Sequence, residues 1–225
     1  MSTVVTVMDR DGWDANTDVI VLADPARRRL LWVPRDTWCP KLGDRVNAAF
    51  KRGGHEALLG ALSELRLHAD HSVCLARAAT REALRDIAVR VPVEHALVLR
   101  YPLAPERRIE DGEQLVRFDP PAETLTGDRI HQWIGARFEA GRPSSDLRRI
   151  ARQQTFVRAL LEQSFDFTAA VARREWVSCS HPNSLDDLSA VTADWRFATL
   201  GRLRPAMIDG KSVLVRRRWP PLRRP

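Results

Sequence analysis

The sequence predicts a single α/β domain, and three features of the chain support this fold class. Short apolar runs of the kind that form strands alternate with longer segments of helical periodicity. No internal repeat, low-complexity linker or shift in composition marks a boundary between domains. A length of 225 residues with 44% hydrophobic residues is sufficient for one domain with a substantial core. We therefore predict one domain over residues 1–215 and a basic, proline-rich, flexible tail over 216–225.

The strands are predicted from alternating or continuous apolar patterns that are bounded by turn-forming residues. They cover residues 2–8, 19–23, 30–33, 71–76, 89–93, 112–118 and 211–215. The helices are predicted from apolar residues spaced three and four apart, and the Gly53-Gly54 pair separates the first two. They cover residues 45–50, 56–65, 80–88, 125–137, 144–163 and 165–174, and a further helix begins at Ser184.

The helix predicted over 144–163 carries the most informative pattern. Ser144 or Ser145 can cap its N-terminus, and Asp146 adds a negative charge to the first turn. One flank consists of Arg149, Gln153, Phe156 and Leu160, and the neighbouring stripe, predicted to face the core, consists of Leu147, Ile150, Val157 and Leu161. A guanidinium and an amide followed by apolar groups suit a ligand with a phosphate head and an apolar tail. A solvated arginine face beside an ordinary core stripe gives the same pattern.

A loop rich in carboxylates follows the first strand. It contains Asp9, Asp11, Asp14 and Asp18. Carboxylate oxygens are suitable ligands for a hard divalent cation, although an aspartate-rich turn is also common without a metal. The spacing excludes an EF-hand, because the glycine and the distal glutamate are misplaced. Further along, Arg35 and Asp36 follow a strand, where α/β sheets bind ligands, and a surface ion pair is the alternative.

The charge of the chain favours an anionic ligand. The net charge is +7, and it comes almost entirely from arginine, since the lysines are Lys41, Lys51 and Lys211 alone. Guanidinium groups match phosphate oxygens in geometry. The basic residues are dispersed and no helix-turn-helix, zinc-finger or RNA-binding signature occurs, which disfavours nucleic acid as the partner.

The sequence has no recognisable targeting or membrane segment. No apolar run approaches the roughly 20 residues that span a bilayer, and the N-terminus lacks the features of a signal peptide. These observations predict a cytoplasmic location. The three cysteines, Cys39, Cys74 and Cys179, have neither metal-binding nor CxxC spacing, and their odd number predicts free thiols.

No motif for a catalytic nucleophile occurs in the sequence. It contains no G-x-S-x-G elbow, P-loop, G-x-G-x-x-G or H-E-x-x-H pattern. Any chemistry must therefore depend on carboxylates, a metal ion and arginines. That combination is typical of reactions at phosphate or pyrophosphate, in which positioning and neutralisation of charge dominate.

Several short motifs occur along the chain in the order that is typical of one family. They lie at residues 7–10, 17–22, 33–37, 46–50 with Gly53-Gly54, 69–73 and 125–128, and in the pattern Asp146-x-x-Arg149-x-x-Arg152-Gln153-Gln154. Over most of residues 4–163 the chain resembles the LytR-CpsA-Psr family. The resemblance implies an α/β domain with a central mixed β-sheet flanked by helices. It also implies a hydrophobic cavity that binds a polyprenyl chain, with arginines at its mouth.

The resemblance also implies an activity and a set of site residues. Members of the family transfer phosphate-linked glycopolymers from a polyprenyl carrier to the cell wall, with Mg2+ as cofactor. The positions that match the metal-associated aspartates are Asp9 and Asp18, and those that match phosphate-binding groups are Arg35, Arg137, Arg149 and Gln153. Arg152 belongs to the same motif and is assigned to substrate binding with them, while Asp36 is the candidate general base.

The chain departs from the family pattern at several places. Asn16 stands where the family has an arginine, and Gly135 replaces the first arginine of a paired Arg-x-Arg. The N-terminal membrane anchor of the family is also absent from this sequence. The two missing arginines reduce the number of cations that could hold a large sugar pyrophosphate.

Three functions are therefore considered. The first is an Mg2+-dependent enzyme that acts on a prenyl or polyprenyl diphosphate by phosphotransferase or pyrophosphatase chemistry. The second is a terpene synthase or cyclase-like enzyme that ionises a soluble prenyl diphosphate, which the missing anchor and the reduced arginine set suggest. The third is a non-enzymatic module that binds polyprenyl phosphate or nucleic acid, which the positive charge and basic tail suggest.

Overall fold

The structure is a computed structural model of the 225-residue chain, and it describes residues 1–104, 109–142, 145–171 and 175–216. Its strands are β1 (Thr3–Met8), β2 (Thr17–Asp24), β3 (Arg29–Trp32), β4 (Trp38–Cys39), β5 (Asp44–Arg45), β6 (His71–Leu75), β7 (Ala88–Pro92), β8 (Leu97–Pro102), β9 (Glu113–Phe118), β10 (Ala122–Thr126), β11 (Phe138–Glu139), β12 (Val177–Cys179), β13 (Arg196–Thr199), β14 (Leu203–Ile208) and β15 (Lys211–Arg216). Its α-helices are α1 (Ala49–Glu64), α2 (Arg77–Ala83), α3 (Asp128–Gly135), α4 (Asp146–Glu162) and α5 (Phe167–Val171). Ser144 and residues 217–225 of the predicted tail lie outside the described residues.

The contacts of the chain group into two compact units. The first comprises residues 1–80, 168–191 and 195–225, and the second comprises 81–167 and 192–194. The first unit contains a six-stranded sheet with the strand order β12-β6-β1-β2-β3-β13. The pairs β1/β6 and β3/β13 are parallel and the other neighbouring pairs are antiparallel, so this sheet is mixed.

The core of the first unit lies between this sheet and α1. Val4 and Ile20 from the central strands share one apolar cluster with Leu58 and Leu62 of α1. The helix is interrupted at Gly53 and Gly54, which have non-helical backbone angles, and the φ of Gly54 is +60°. The predicted break at this glycine pair is therefore confirmed, because glycine accommodates a positive φ without steric cost.

The second unit has smaller sheets that pack with α3 and α4. Strand β7 pairs with β10, and β11, β8 and β9 form a three-stranded sheet. Its apolar cluster includes Phe118 and Trp133, whose rings meet edge to face at 5.1 Å. The helix predicted over 125–137 begins only at Asp128, because Leu125 pairs with Val89 in the ladder of β10 and β7.

Several boundaries differ from the predictions near the C-terminus. The helix expected from Ser184 is replaced by two 3-10 turns, Pro182–Ser184 and Asp186–Leu188. Ser184 is fully buried and its Oγ donates to the His181 carbonyl at 2.6 Å, so it belongs to a turn that His181 caps. Arg216, assigned to the tail, is the last residue of β15. Among the described residues, no helix is long and apolar enough to cross a membrane.

Candidate functional site

A β-bulge places Asp18 at the loop end of the β1–β2 hairpin. Val7 pairs with Val19 but Met8 pairs with Thr17, so Asp18 is the extra residue on β2. Bulges of this kind redirect a side chain and are common beside functional sites. The backbone N–H of Asp9 donates to the Asn16 carbonyl at 2.8 Å and closes the same loop. Asp9 and Asp18 therefore flank one end of the hairpin.

The other carboxylates of this loop have structural contacts. Asp11 Oδ1 accepts a hydrogen bond from the Ala78 backbone N–H at 2.7 Å, and Asp14 lies 3.3 Å from Arg10 Nη2. The described residues contain no group of three or more His, Cys, Asp or Glu side chains that could hold a metal ion. Mg2+ commonly takes only one or two protein carboxylates and completes its shell with substrate phosphates and water. The Mg2+ site at Asp9 and Asp18 therefore stays a prediction.

Arg35 lies in a tight turn directly after β3. Thr37 fixes the turn, because its backbone N–H and its hydroxyl both donate to the Pro34 carbonyl, at 3.0 and 2.6 Å. The side chain of Arg35 is 12% exposed, and its Nη1 forms an ion pair with Asp18 Oδ1. Its Nε is buried and has no hydrogen-bond partner among the described residues. An unsatisfied buried donor is costly, so this atom is a candidate for contact with a ligand oxygen.

Asp36, the next residue, is connected to the C-terminal hairpin. Its carboxylate Oδ1 lies 3.3 Å from Arg45 Nη1, and its backbone carbonyl accepts from the Leu214 N–H at 2.9 Å. Arg45 Nη2 donates to the Ser212 carbonyl at 2.8 Å. Asp36 Oδ1 has no hydrogen-bond partner among the described residues. Asp9, Asp18, Arg35 and Asp36 therefore all lie in the first unit. Arg35 pairs with Asp18, whereas Asp36 pairs with a different cation, Arg45.

In the second unit, Arg149 is almost completely buried on α4. Its side chain is 1% exposed, and both Nε and Nη2 donate to Asp146 Oδ1, at 2.9 and 2.6 Å. Ser145 caps the helix, because its Oγ accepts from the Arg148 N–H at 3.4 Å. The predicted cap at Ser145 is thus confirmed. Asp146 serves both as the first-turn anion that the helix dipole favours and as a partner that holds the Arg149 guanidinium.

Arg152 and Gln153 contact the end of α3. Arg152 Nε donates to the Trp133 carbonyl at 2.9 Å and its Nη2 donates to the Ala136 carbonyl. Gln153 Nε2 donates to the Ile134 carbonyl at 3.0 Å. Burial lowers the pKa of Arg152 to about 10, with a further contribution from the charge of Arg149, so the side chain remains a cation at neutral pH.

Arg137 follows Ala136, the C-cap residue of α3, and is half-buried. Two residues later, Glu139 is buried and lies 3.3 Å from both Arg142 Nη1 and Arg148 Nε. The sequence interpretation did not identify Glu139 as a residue of this region. Arg142 is three residues further along the chain, whereas Arg148 lies on α4, and the tertiary structure brings it to Glu139. The pairing of Asp146 with Arg149 could have been inferred, since i and i+3 are neighbours on a helix.

The face of α4 that is buried differs from the predicted stripe. Leu147 is 54% exposed, so the stripe predicted to face the core is wrong at its first position. The buried side chains are Arg149, Ile150, Arg152, Gln153, Phe156, Ala159 and Leu160. Polar groups could replace apolar ones on this face because their donors are satisfied by Asp146 and by the carbonyls of α3.

A groove of about 380 Å3 lies at the C-terminal end of α4 in the second unit. Its apolar lining includes Ile87, Val89, Leu160 and Phe165, while Gln163, Ser164 and Asp166 supply polar atoms. Nothing in its geometry identifies an occupant. The hydrophobic cavity expected for a prenyl chain therefore stays a prediction.

Comparisons with known proteins agree with this architecture. Solved structures with the same fold include EF0465 of Enterococcus faecalis, described as a transcriptional regulator (TM-score 0.65, 18% identity, 80% of that chain covered). They also include TagT bound to LI-WTA (0.65, 16%, 83%) and B. subtilis TagV (0.63, 17%, 90%). Each match covers 96% of this chain. These structures confirm the predicted fold class, a single α/β domain with a central mixed sheet flanked by helices.

The two sequence comparisons give different results. A search among curated proteins gave no match. A profile of the LytR_cpsA_psr family matches residues 5–183, which is most of the chain and includes every candidate site residue discussed above. The protein therefore belongs to the LytR-CpsA-Psr family, as its sequence motifs indicated.

Proposed function

We propose that this protein is a phosphotransferase-type enzyme that acts on a prenyl- or polyprenyl-linked phosphate or diphosphate with Mg2+ as cofactor. The family is enzymatic and includes proteins of cell wall glycopolymer transfer, among which TagT has been observed with LI-WTA. The observation that carries the proposal is the buried, unsatisfied Nε of Arg35 beside the bulged Asp18. A phosphate oxygen that replaced Asp18 as the partner of Arg35 would let the guanidinium reorient and satisfy that donor.

Asp9 and Asp18 would supply the metal ligands, and Arg35 would supply a phosphate contact. The ion pair between Arg35 and Asp18 is only partly exposed, at 12% and 23%. A substrate phosphate would replace Asp18 as the partner of Arg35 and thereby release its carboxylate for the metal. Mg2+ held by Asp9, Asp18 and the phosphate oxygens would supply charge neutralisation during the reaction.

The family resemblance also assigns Arg137 and Arg149 to phosphate binding. Arg149 is fixed by two hydrogen bonds to Asp146 and is 1% exposed, so its guanidinium would act on a phosphate as a fixed buried charge. Arg137 leaves the end of α3, where Arg152 and Gln153 hold the last carbonyls of the helix. Such fixed cations stabilise charge that develops on a phosphate in the transition state.

The reaction would begin with attack of an acceptor oxygen, from a hydroxyl group or water, on the distal phosphorus of the substrate. The bond from that phosphorus to the bridging oxygen breaks, and prenyl phosphate leaves with the bonding electrons. The proton of the acceptor passes to a base, for which Asp36 is the candidate, and its Oδ1 lies 3.3 Å from Arg45 Nη1. The family resemblance assigns Arg35, Arg137 and Arg149 the role of neutralising charge on the leaving group.

The proposal is tested by phosphate release from a polyprenyl diphosphate in detergent, with Asp18→Asn and Arg149→Ala compared with the unmodified protein. We expect each change to lower turnover about 10²–10³-fold, as for other charge-stabilising groups. Asp14→Asn is the matched control, because Asp14 lies in the same loop but pairs with Arg10 on the surface. Full turnover by both variants, or an equal loss in the control, would overturn the proposal.

A further inference from the structure

Arg152 connects α4 to the end of α3 through a reciprocal set of hydrogen bonds. Its Nε donates to the Trp133 carbonyl at 2.9 Å, and the indole Nε1 of Trp133 donates to the Arg152 carbonyl at 3.0 Å. Both residues are buried, with 8% and 2% of their surface exposed. Each residue therefore satisfies a polar atom of the other in a place where water could not.

The second contact of the guanidinium concerns Arg137 directly. Arg152 Nη2 donates to the Ala136 carbonyl, and that carbonyl belongs to the peptide group whose nitrogen is the backbone nitrogen of Arg137. Ala136 has extended backbone angles, φ −63° and ψ 133°, so the chain leaves the helix at this peptide. The orientation of the peptide sets the direction in which Arg137 leaves α3. Arg152 is thus separated from the Arg137 backbone by one hydrogen bond.

Arg152 also has a fixed relation to the other proposed phosphate ligand of this unit. It lies one helical turn after Arg149 on α4, and both side chains are buried on that helix. A guanidinium that is bound to carbonyls on two sides of the α3 terminus is favoured by the negative end of the helix dipole. Two nitrogens of the Arg152 guanidinium donate to carbonyls within the protein, so fewer of its N–H groups are available to a ligand.

We propose that Arg152 is a positioning residue, which holds the Arg137 backbone in register with Arg149 instead of binding the substrate itself. This inference rests on the proposed function, because Arg137 matters for catalysis only if the protein acts on phosphates. Arg152→Lys would keep the positive charge but could not bind both carbonyls with a rigid fork. Turnover should fall about 10²-fold, as expected when a catalytic group moves by about 1 Å.

A double-mutant cycle with Arg137→Ala separates positioning from other roles. If Arg152 acts through Arg137, Arg152→Lys lowers kcat strongly in the unmodified protein but has little further effect in Arg137→Ala. An equal loss in both backgrounds would overturn the proposal, because it would show a direct contact with substrate or a general loss of stability. Arg158→Lys is the control, since Arg158 is an exposed arginine of the same helix that also donates to a carbonyl, that of Ala193.

Hydrogen exchange provides a readout that does not depend on activity. Peptides that cover residues 133–140 should exchange faster in Arg152→Lys, while the sheet of the first unit keeps its protection. Unchanged exchange in these peptides would overturn the positioning role even if turnover fell. If the unmodified protein has no turnover, the proposed function fails, and the exchange result still decides whether Arg152 fixes this segment.

Trp133→Phe is a second variant that keeps both arginines, in case Arg152→Lys does not fold. It removes the indole donor to the Arg152 carbonyl and reduces the size of a buried ring, and we expect a loss of turnover of about tenfold or less, again through Arg137. The same exchange peptides should respond in the same direction. A loss of turnover that is as large in Arg137→Ala would contradict the proposal.

Discussion

The ion pair of Asp146 and Arg149 allows a quantitative test of how the helix α4 holds a buried cation. Arg149 is 1% exposed and Asp146 is 15% exposed, and a single oxygen of Asp146 accepts from two guanidinium nitrogens. In Asp146→Asn the charge of Arg149 stays buried while the carboxylate of Asp146 is lost. Removal of one partner of a buried pair costs about 3–5 kcal/mol. We expect about 3 kcal/mol, the lower end, because Asp146 is not fully buried.

This loss of stability is measurable by thermal unfolding. For a protein of 150–250 residues, 1 kcal/mol corresponds to about 2–4 °C, so Tm should fall by roughly 6–12 °C. Asp128→Asn is the matched control, because Asp128 is also the first residue of its helix but is exposed. It should cost only about 0.3–1 kcal/mol, the contribution of a first-turn anion to the helix dipole.

The double variant Asp146→Asn/Arg149→Met distinguishes an unpaired charge from a loss of packing. It should be more stable than Asp146→Asn alone, because the buried charge is removed together with the carboxylate that it pairs with. The reasoning would be refuted if Asp146→Asn were no more destabilising than Asp128→Asn. It would also be refuted if the added Arg149→Met made the protein less stable still.

Two further predictions concern groups whose pKa is shifted by burial. Burial raises the pKa of Cys39 and of Cys74 to about 12, so at pH 8 their thiolate fractions are about 10⁻⁴, and alkylation of the native protein should modify Cys179 first. Mass spectrometry of the labelled peptides checks this, and rapid native labelling of Cys39 would contradict it. His55, whose Nδ1 lies 2.7 Å from Ser72 Oγ, has its pKa lowered by burial, so the unfolded chain takes up its proton first. The stabilisation is therefore complete above about pH 6.5 and is lost as the pH falls. Urea unfolding from pH 7 to 5 should show a weaker pH dependence in His55→Gln, and an unchanged dependence would contradict the assignment.

The fold could be predicted largely from local patterns. The strands that begin at Thr3 and His71 and the helix that begins at Asp146 carry clear periodicity, and their observed bounds differ by only a few residues from those expected. Strand β8 (Leu97–Pro102) was not predicted, and its burial alternates only in part, so the strand lacks a clear period of two. Leu125 was assigned to a helix but lies in a strand. Its pairing with Val89 involves a distant segment of the chain, so no local pattern could reveal it.

The candidate site could be predicted as a set of residues but not as a set of contacts. The motifs identified Asp18 and Arg35, yet the bulge that redirects Asp18 results from the register between two strands. Arg152 was grouped with the substrate-binding residues because it belongs to the same motif as Arg149. Its contacts with the carbonyls of Trp133 and Ala136 depend on how α4 packs against α3, which spacing along one helix does not contain.

The most direct test of the proposed activity is a product analysis with the unmodified protein. A series of prenyl diphosphates, from geranyl to polyprenyl chain length, would be incubated with and without Mg2+, and mass spectrometry would follow inorganic phosphate and the organic products. We predict release of phosphate and of prenyl phosphate that requires Mg2+. A hydrocarbon or terpene alcohol released with intact pyrophosphate would contradict the account in favour of a lyase, and no turnover of any chain length would contradict enzymatic action on this class of substrate.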